Sequence, residues 1–117
     1  MDDDDVMHPQ RLEKQVAEFL SDPGLAVASV SMVDIDSKGS VVGPHPAPSG
    51  NAEWFRLSSL FSNQLGFSNV MLNKQTLGDI ALQEYIQSPE WYLWLRLLFQ
   101  GDRKGNPARF KHVYEPL

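Results

Sequence analysis

Arg103, Lys104, Arg109, Lys111 and His112 form a basic C-terminal cluster, with Phe110 and Tyr114 interleaved. Cations alternating with rings suit nucleic-acid binding, where charge meets phosphate and aromatics stack on bases. Against that, only four of the ten basic residues are involved, and Asp102 and Glu115 flank them. With the whole chain acidic, a solvated tail or an acidic protein partner is the leading expectation for this segment. Asp34 and Asp36 are the simplest carboxylate pair, because alternate residues of a strand share a face. The polar turn residues directly after them mark that pair as a solvated strand end.

Other chemistry finds little support. Asp34-Ile35-Asp36-Ser37-Lys38-Gly39 resembles the opening of a calcium-binding EF-hand loop. A calcium loop needs an oxygen donor at its fifth position and a bidentate Glu at its twelfth, where this chain has Lys38 and His45. A hairpin turn is the better reading. The three histidines, His8, His45 and His112, lie far apart and share no local metal-binding spacing. There is no cysteine, no G-x-S-x-G elbow and no phosphate-binding glycine loop. The sequence therefore predicts a noncatalytic protein with no catalytic residue, cofactor or metal.

The formal net charge is −5, and Asp2 to Asp5 supply four of the negatives, leaving the rest of the chain almost neutral. Residues 1–8 read as an acidic, disordered leader and 9–117 as a single domain. The absence of cysteine fits a reducing compartment. The acidic N-terminus is not followed by the apolar run of a signal peptide, and no segment is long enough to span a bilayer. A soluble, cytoplasmic protein is expected.

The elements that must position these residues read as α+β. Pro9 to Ser21 carries an apolar helical stripe of Leu12, Val16, Phe19 and Leu20, and Asp22-Pro23-Gly24 is a stop. Leu25 to Ile35 favours a strand, Asp36 to Gly39 a turn, and Ser40 to Gly43 a returning strand. Gly43 to Gly50 holds three prolines and reads as an extended connection. Asn51 caps a helix over Ala52 to Leu65 whose face of Trp54, Leu57, Leu60, Phe61 and Leu65 is expected in the core. Residues 67–87 stay ambiguous after a short strand at Val70 to Leu72. Thr76 caps a helix covering Leu77, Ile80, Ala81, Tyr85 and Ile86, or Ile80 to Leu82 is one arm of a hairpin. The resulting picture is amphipathic helices packed on a short antiparallel sheet.

Pro89 to Gln100, PEWYLWLRLLFQ, has the clearest boundaries, with Ser88 as cap, Pro89 at the first position and Gly101 as stop. Trp91, Trp94, Leu95 and Leu98 share one face, and Tyr92, Leu93, Leu97 and Phe99 extend the apolar surface nearly all round. A small chain has difficulty covering such a helix on every side. An exposed edge at Tyr92 and Phe99 beside Arg96 is one expectation, and a fully internal helix is the other. The candidate partner-binding residues are Trp91, Tyr92, Arg96, Phe99, Arg103 and Lys104.

The order helix, Asp22-Pro23-Gly24, strand, Asp36-x-x-Gly39 turn, strand, helix is similar to that of the roadblock family of small adaptor subunits, over about half of the chain. The resemblance implies a noncatalytic adaptor. The leading expectation is a protein-interaction module, an accessory subunit, adaptor or inhibitor, whose partner is another protein or a second copy. The alternative is a nucleic-acid-associated protein using residues 103–112. No role at a membrane is expected.

Overall fold

A computed structural model describes residues 4–78 and 88–117. The clearest strand signal, rich in small and β-branched side chains, divides in two. Leu25–Ser31 form β1, and Val33–Ile35 form β2, which pairs with β3 (Val41–Pro44) in a separate hairpin. At the hairpin's tip the Asp36 carboxylate accepts from the backbone N–H groups of Lys38 and Ser40, and Gly39 takes a positive φ of 82°. Glycine suits that left-handed position because it has no Cβ to clash.

β1 is the centre of the main sheet. Val70–Leu72, β4, pairs antiparallel on one side, with Val27 opposite Leu72 and Ser29 opposite Val70. The other neighbour is β5, Arg109–Pro116, which runs parallel to β1 with Ser29 opposite His112. The architecture is α+β with short antiparallel pairings, as expected, and the β1–β5 seam adds a parallel one, with the C-terminal segment as the third strand of the main sheet. Parallel pairing joins residues far apart in sequence, so no turn signal announces it. A central position buries Leu25 through Val30 without alternation.

Helix α1, Arg11–Ser21, lies against β1 and β5 in the opposite sense to that expected. Gln15 is 0% exposed and Arg11 is buried, while Leu12, Val16 and Leu20 face outward. The Gln15 amide donates to the carbonyls of Ala28 at 2.8 Å and Asn69 at 3.3 Å, and its oxygen accepts from Arg11 Nε at 3.0 Å. These bonds satisfy polar groups that would otherwise be costly to bury. Three ion pairs extend the same face, Lys14 with Glu115, Glu18 with Lys111 at 3.3 Å and Asp22 with Arg109 at 2.6 Å. Positions 14, 18 and 22 stack at one helical turn each, so α1 is fastened along β5 by charge.

The other face of the sheet carries the apolar core. Phe110, on the opposite side of β5 from Arg109 and Lys111, packs its ring 5.3 Å from Phe55 and 6.1 Å from Trp94. Phe55 comes from α2, Ala52–Ser58, capped by Asn51 Oδ1, which accepts from Trp54 N at 2.9 Å. Trp94, Leu93, Leu97 and Leu98 come from α4, Pro89–Gln100, and complete the core with Leu65 and Leu77. The buried Trp94 indole donates to Leu65 O at 2.7 Å. Gly101 ends α4 at a positive φ of 91°, where an added Cβ would meet the Asn106 carbonyl oxygen at 2.5 Å.

Several local expectations change. α2 stops at Ser58, seven residues before the expected end, so only Phe55 of its side chains is in the core. Trp54 and Leu57 are consequently exposed, as are Leu60 and Phe61 beyond its end. Asn73, not Thr76, caps the short α3, Lys74–Leu77, by accepting from the N–H groups of Gln75 and Thr76. Ser88 precedes α4 with a left-handed φ of 54° and no side-chain cap bond. The expected helix or hairpin through Ile80, Ala81, Leu82, Tyr85 and Ile86 lies outside the described residues, as do Asp2 and Asp3.

Candidate interaction surface

Side chains join α4 to α2 and to the residues that follow it. The Trp91 indole N–H donates to Ser59 O at 2.7 Å, Asn63 donates to Glu90 at 3.0 Å, and the Arg56 guanidinium sits 4.5 Å from the centre of the Phe99 ring. A cation over a ring face is attracted by the ring's quadrupole. Several large apolar side chains of these segments are exposed. Tyr92 is 43% exposed, Phe99 42% and Phe61 84%, and Trp54, Leu57 and Leu60 are exposed with them. Single exposed apolar side chains are ordinary, but a group this rich in aromatics is not.

The candidate residues drawn from sequence divide between places. Tyr92 and Phe99 stand on the exposed side of α4, Arg96 is half-buried on the same helix, and Trp91 is half-buried against the end of α2. Arg103 and Lys104 belong elsewhere. Arg103 lies against the end of α3, donating through its guanidinium to Gln75 O at 3.4 Å. Lys104 is in the turn whose N–H groups are collected by Asp102 Oδ1. Sequence reasoning missed Trp54, Leu57, Leu60 and Phe61 as surface residues. Their stripe showed that they share a face but carried no sign of which way it points.

The basic cluster is also divided. Arg109 and Lys111 turn toward α1, where Asp22 and Glu18 meet them. His112 points the other way. Its Nδ1 lies 2.7 Å from Ser29 Oγ, its Nε2 lies 3.0 Å from Ser31 Oγ, and its ring meets Tyr114 edge-on at 4.6 Å. Burial pushes the His112 imidazole below its ordinary pKa by disfavouring the charged form. A Ser–His pair invites comparison with nucleophilic catalysis, in which one ring nitrogen takes the nucleophile's proton while the other is oriented by an acceptor. Here both nitrogens face hydroxyls, and Ser29 is only 2% exposed. The arrangement clasps β5 to β1.

Asp34 and Asp36 do not form a carboxylate pair. A register shift follows Asp34, whose Oδ1 meets His45 Nδ1 at 3.0 Å across the hairpin, while Asp36 organises the turn. Among the described residues, no group of three or more His, Asp or Glu side chains is placed to hold a metal ion. No described helix is long and apolar enough to cross a membrane. No family model, curated protein or solved structure matches the chain, so the likeness to roadblock adaptors rests on the order of its first elements alone.

Proposed function

We propose that this chain is a noncatalytic protein-interaction module, an accessory subunit, adaptor or inhibitor, that engages another protein through the α2–α4 surface. One observation carries the reading: Trp54 on α2, Phe61 just beyond its end, and Tyr92 and Phe99 on α4 are exposed instead of filling the core, and Arg56 of α2 sits over the Phe99 ring. Aromatic side chains and Arg are the types most enriched at interface hot spots, and Arg56 and Arg96 accompany these rings. Removing such a surface from water on binding is favourable in proportion to the apolar area covered. The nucleic-acid alternative gains nothing from the fold, because Arg109 and Lys111 are engaged with α1 and Arg103 lies against α3.

The test is affinity purification of the full chain from its native cells, alongside a Tyr92→Ser/Phe99→Ser variant. The wild-type chain is expected to retain a partner in stoichiometric amount that the variant loses, with far-ultraviolet circular dichroism and Tm unchanged. A partner held equally by the folded variant would exclude this surface. Stoichiometric recovery of nucleic acid, lost at raised salt, would favour the alternative.

A further inference from the structure

The chain contains a second feature, which meets the exposed aromatic rings only at Arg56, a residue that borders it and sits over Phe99. A groove of about 620 Å³ runs beside β5, floored by Phe55, Leu65 and Leu98 and closed on its far side by residues 48–52. β5 residues from both faces of the sheet border it, Phe110 and His112 from one and Arg109 and Lys111 from the other. The groove therefore opens onto the backbone edge of the strand as well as its face. Among the described residues β5 pairs with β1 alone, and no further backbone hydrogen bond involves positions 110–114.

Exposed edge strands are commonly guarded by charged side chains or proline. On β5 the charged residues Arg109, Lys111 and Glu115 remain about half exposed, but each is paired with an opposite charge at Asp22, Glu18 or Lys14, so the edge beside the groove carries no unneutralised run of charge. The far wall cannot supply the missing strand. Pro48 has no N–H to donate, residues 48–52 make no backbone hydrogen bond to β5 among the described residues, and the Tyr114 hydroxyl holds the wall by donating to Pro48 O at 2.9 Å. Residues 109–114 extend roughly 20 Å, room for a segment of about six residues in strand conformation.

We propose that this groove receives an extended peptide segment of a partner protein, which adds to the sheet beside β5 as a fourth strand. Backbone hydrogen bonds to β5 supply affinity, and apolar side chains at alternate positions settle on Phe55, Leu65 and Leu98. The proposal rests on the interaction-module reading only for the premise that a partner exists, and it specifies that partner's form at a different surface.

The experiment uses a displayed library of random decapeptides selected against the full chain, followed by fluorescence anisotropy of the synthesised winners. Winners are expected to alternate apolar and polar residues. Backbone N-methylation at alternate positions is expected to weaken binding about tenfold in one parity and about twofold or less in the other, because only one set of amides faces β5. Ala52→Tyr and, separately, Ser49→Trp fill the groove from exposed positions, and either is expected to weaken binding about tenfold with circular dichroism unchanged. Tyr92→Ser/Phe99→Ser is expected to leave peptide affinity intact. That control separates the two readings, since peptide binding can fail while co-purification through the α2–α4 surface persists. Four results would overturn the proposal: no peptide selected, equal tolerance of N-methylation in both parities, peptide binding lost in the Tyr92/Phe99 variant, or a dimer abolished by Ala52→Tyr.

Discussion

The side-chain amide of Gln15 reaches from α1 to the backbone of β1 and donates to the Ala28 carbonyl at 2.8 Å, fully shielded from solvent. This bond, with the acceptance from Arg11, fixes which side of α1 meets the sheet. Gln15→Leu keeps similar bulk but removes the buried bonds that Gln15 makes to Arg11 Nε and to the Ala28 carbonyl. Losing buried hydrogen bonds of this kind is expected to lower stability by about 1–3 kcal/mol in urea denaturation. Wild-type stability in Gln15→Leu would show that α1 is oriented by other contacts.

The ion pairs between α1 and β5 are partly exposed, so each is expected to contribute about 1 kcal/mol or less. Glu18→Gln and Asp22→Asn should therefore be mild individually. Lys111→Glu, which sets a like charge beside Glu18, should cost more, and the difference should shrink in about 1 M salt, where the screening length is about 3 Å. A double-mutant cycle on Glu18 and Lys111 measures the pair directly. A coupling that does not change with salt would contradict this account.

The two patterned helices show how much was legible in the sequence. Local signals placed α4 from Pro89 to Gln100 and its stop at Gly101, the turn at Asp36 to Gly39, and the Asn51 cap of α2. These depend on backbone and capping chemistry within a few residues. Orientation was not legible. Leu12, Val16 and Leu20 form a regular stripe, yet the opposite face of α1 is the one with partners, because Gln15 and the charges at 14, 18 and 22 match groups on strands distant in sequence. β5 was missed for the same reason, its partner being β1. Of the candidate site, the exposure of Tyr92 and Phe99 was legible from the difficulty of covering an all-apolar helix, while the contribution of Phe61 depended on where α2 ends.

The burial contrast between α2 and the residues just after it gives a direct check. Phe55 fills the core against Phe110, whereas Phe61 lies beyond the helix with 84% of its surface in water. Phe55→Ala is expected to cost about 3–5 kcal/mol through lost transfer energy and the cavity left behind. Phe61→Ala is expected to change stability by about 0.5 kcal/mol or less, as exposed substitutions generally do. The reverse order in chemical denaturation would mean that α2 presents the other face to the core.

His112 predicts a pH dependence. Its folded pKa is lowered by burial between β1, Tyr114 and the two serine hydroxyls, so at mildly acidic pH the unfolded chain binds the proton more readily. The stability that neutral His112 supplies is thus fully present above its unfolded pKa, near 6.5. It is lost progressively as pH falls from there through the lower folded value. His112→Gln retains hydrogen-bonding capacity without titrating, so its stability curve should be flatter across that window. Identical slopes for the two proteins in urea melts at several pH values would exclude His112 as the source.

The parallel seam between β1 and β5 has a kinetic meaning. Ser29 meets His112, 83 positions along the chain, so this edge of the central strand must wait for a late and distant partner. Closing so long a loop has an entropic cost before any contact offsets it, which makes such pairings slow and leaves the waiting strand available to the wrong neighbour. In β1 that strand is Leu25 to Val30, a run that carries no charge and is apolar except at Ser29. Refolding from denaturant is therefore where this chain is most exposed to aggregation, and the yield of native protein should fall steeply as its concentration is raised.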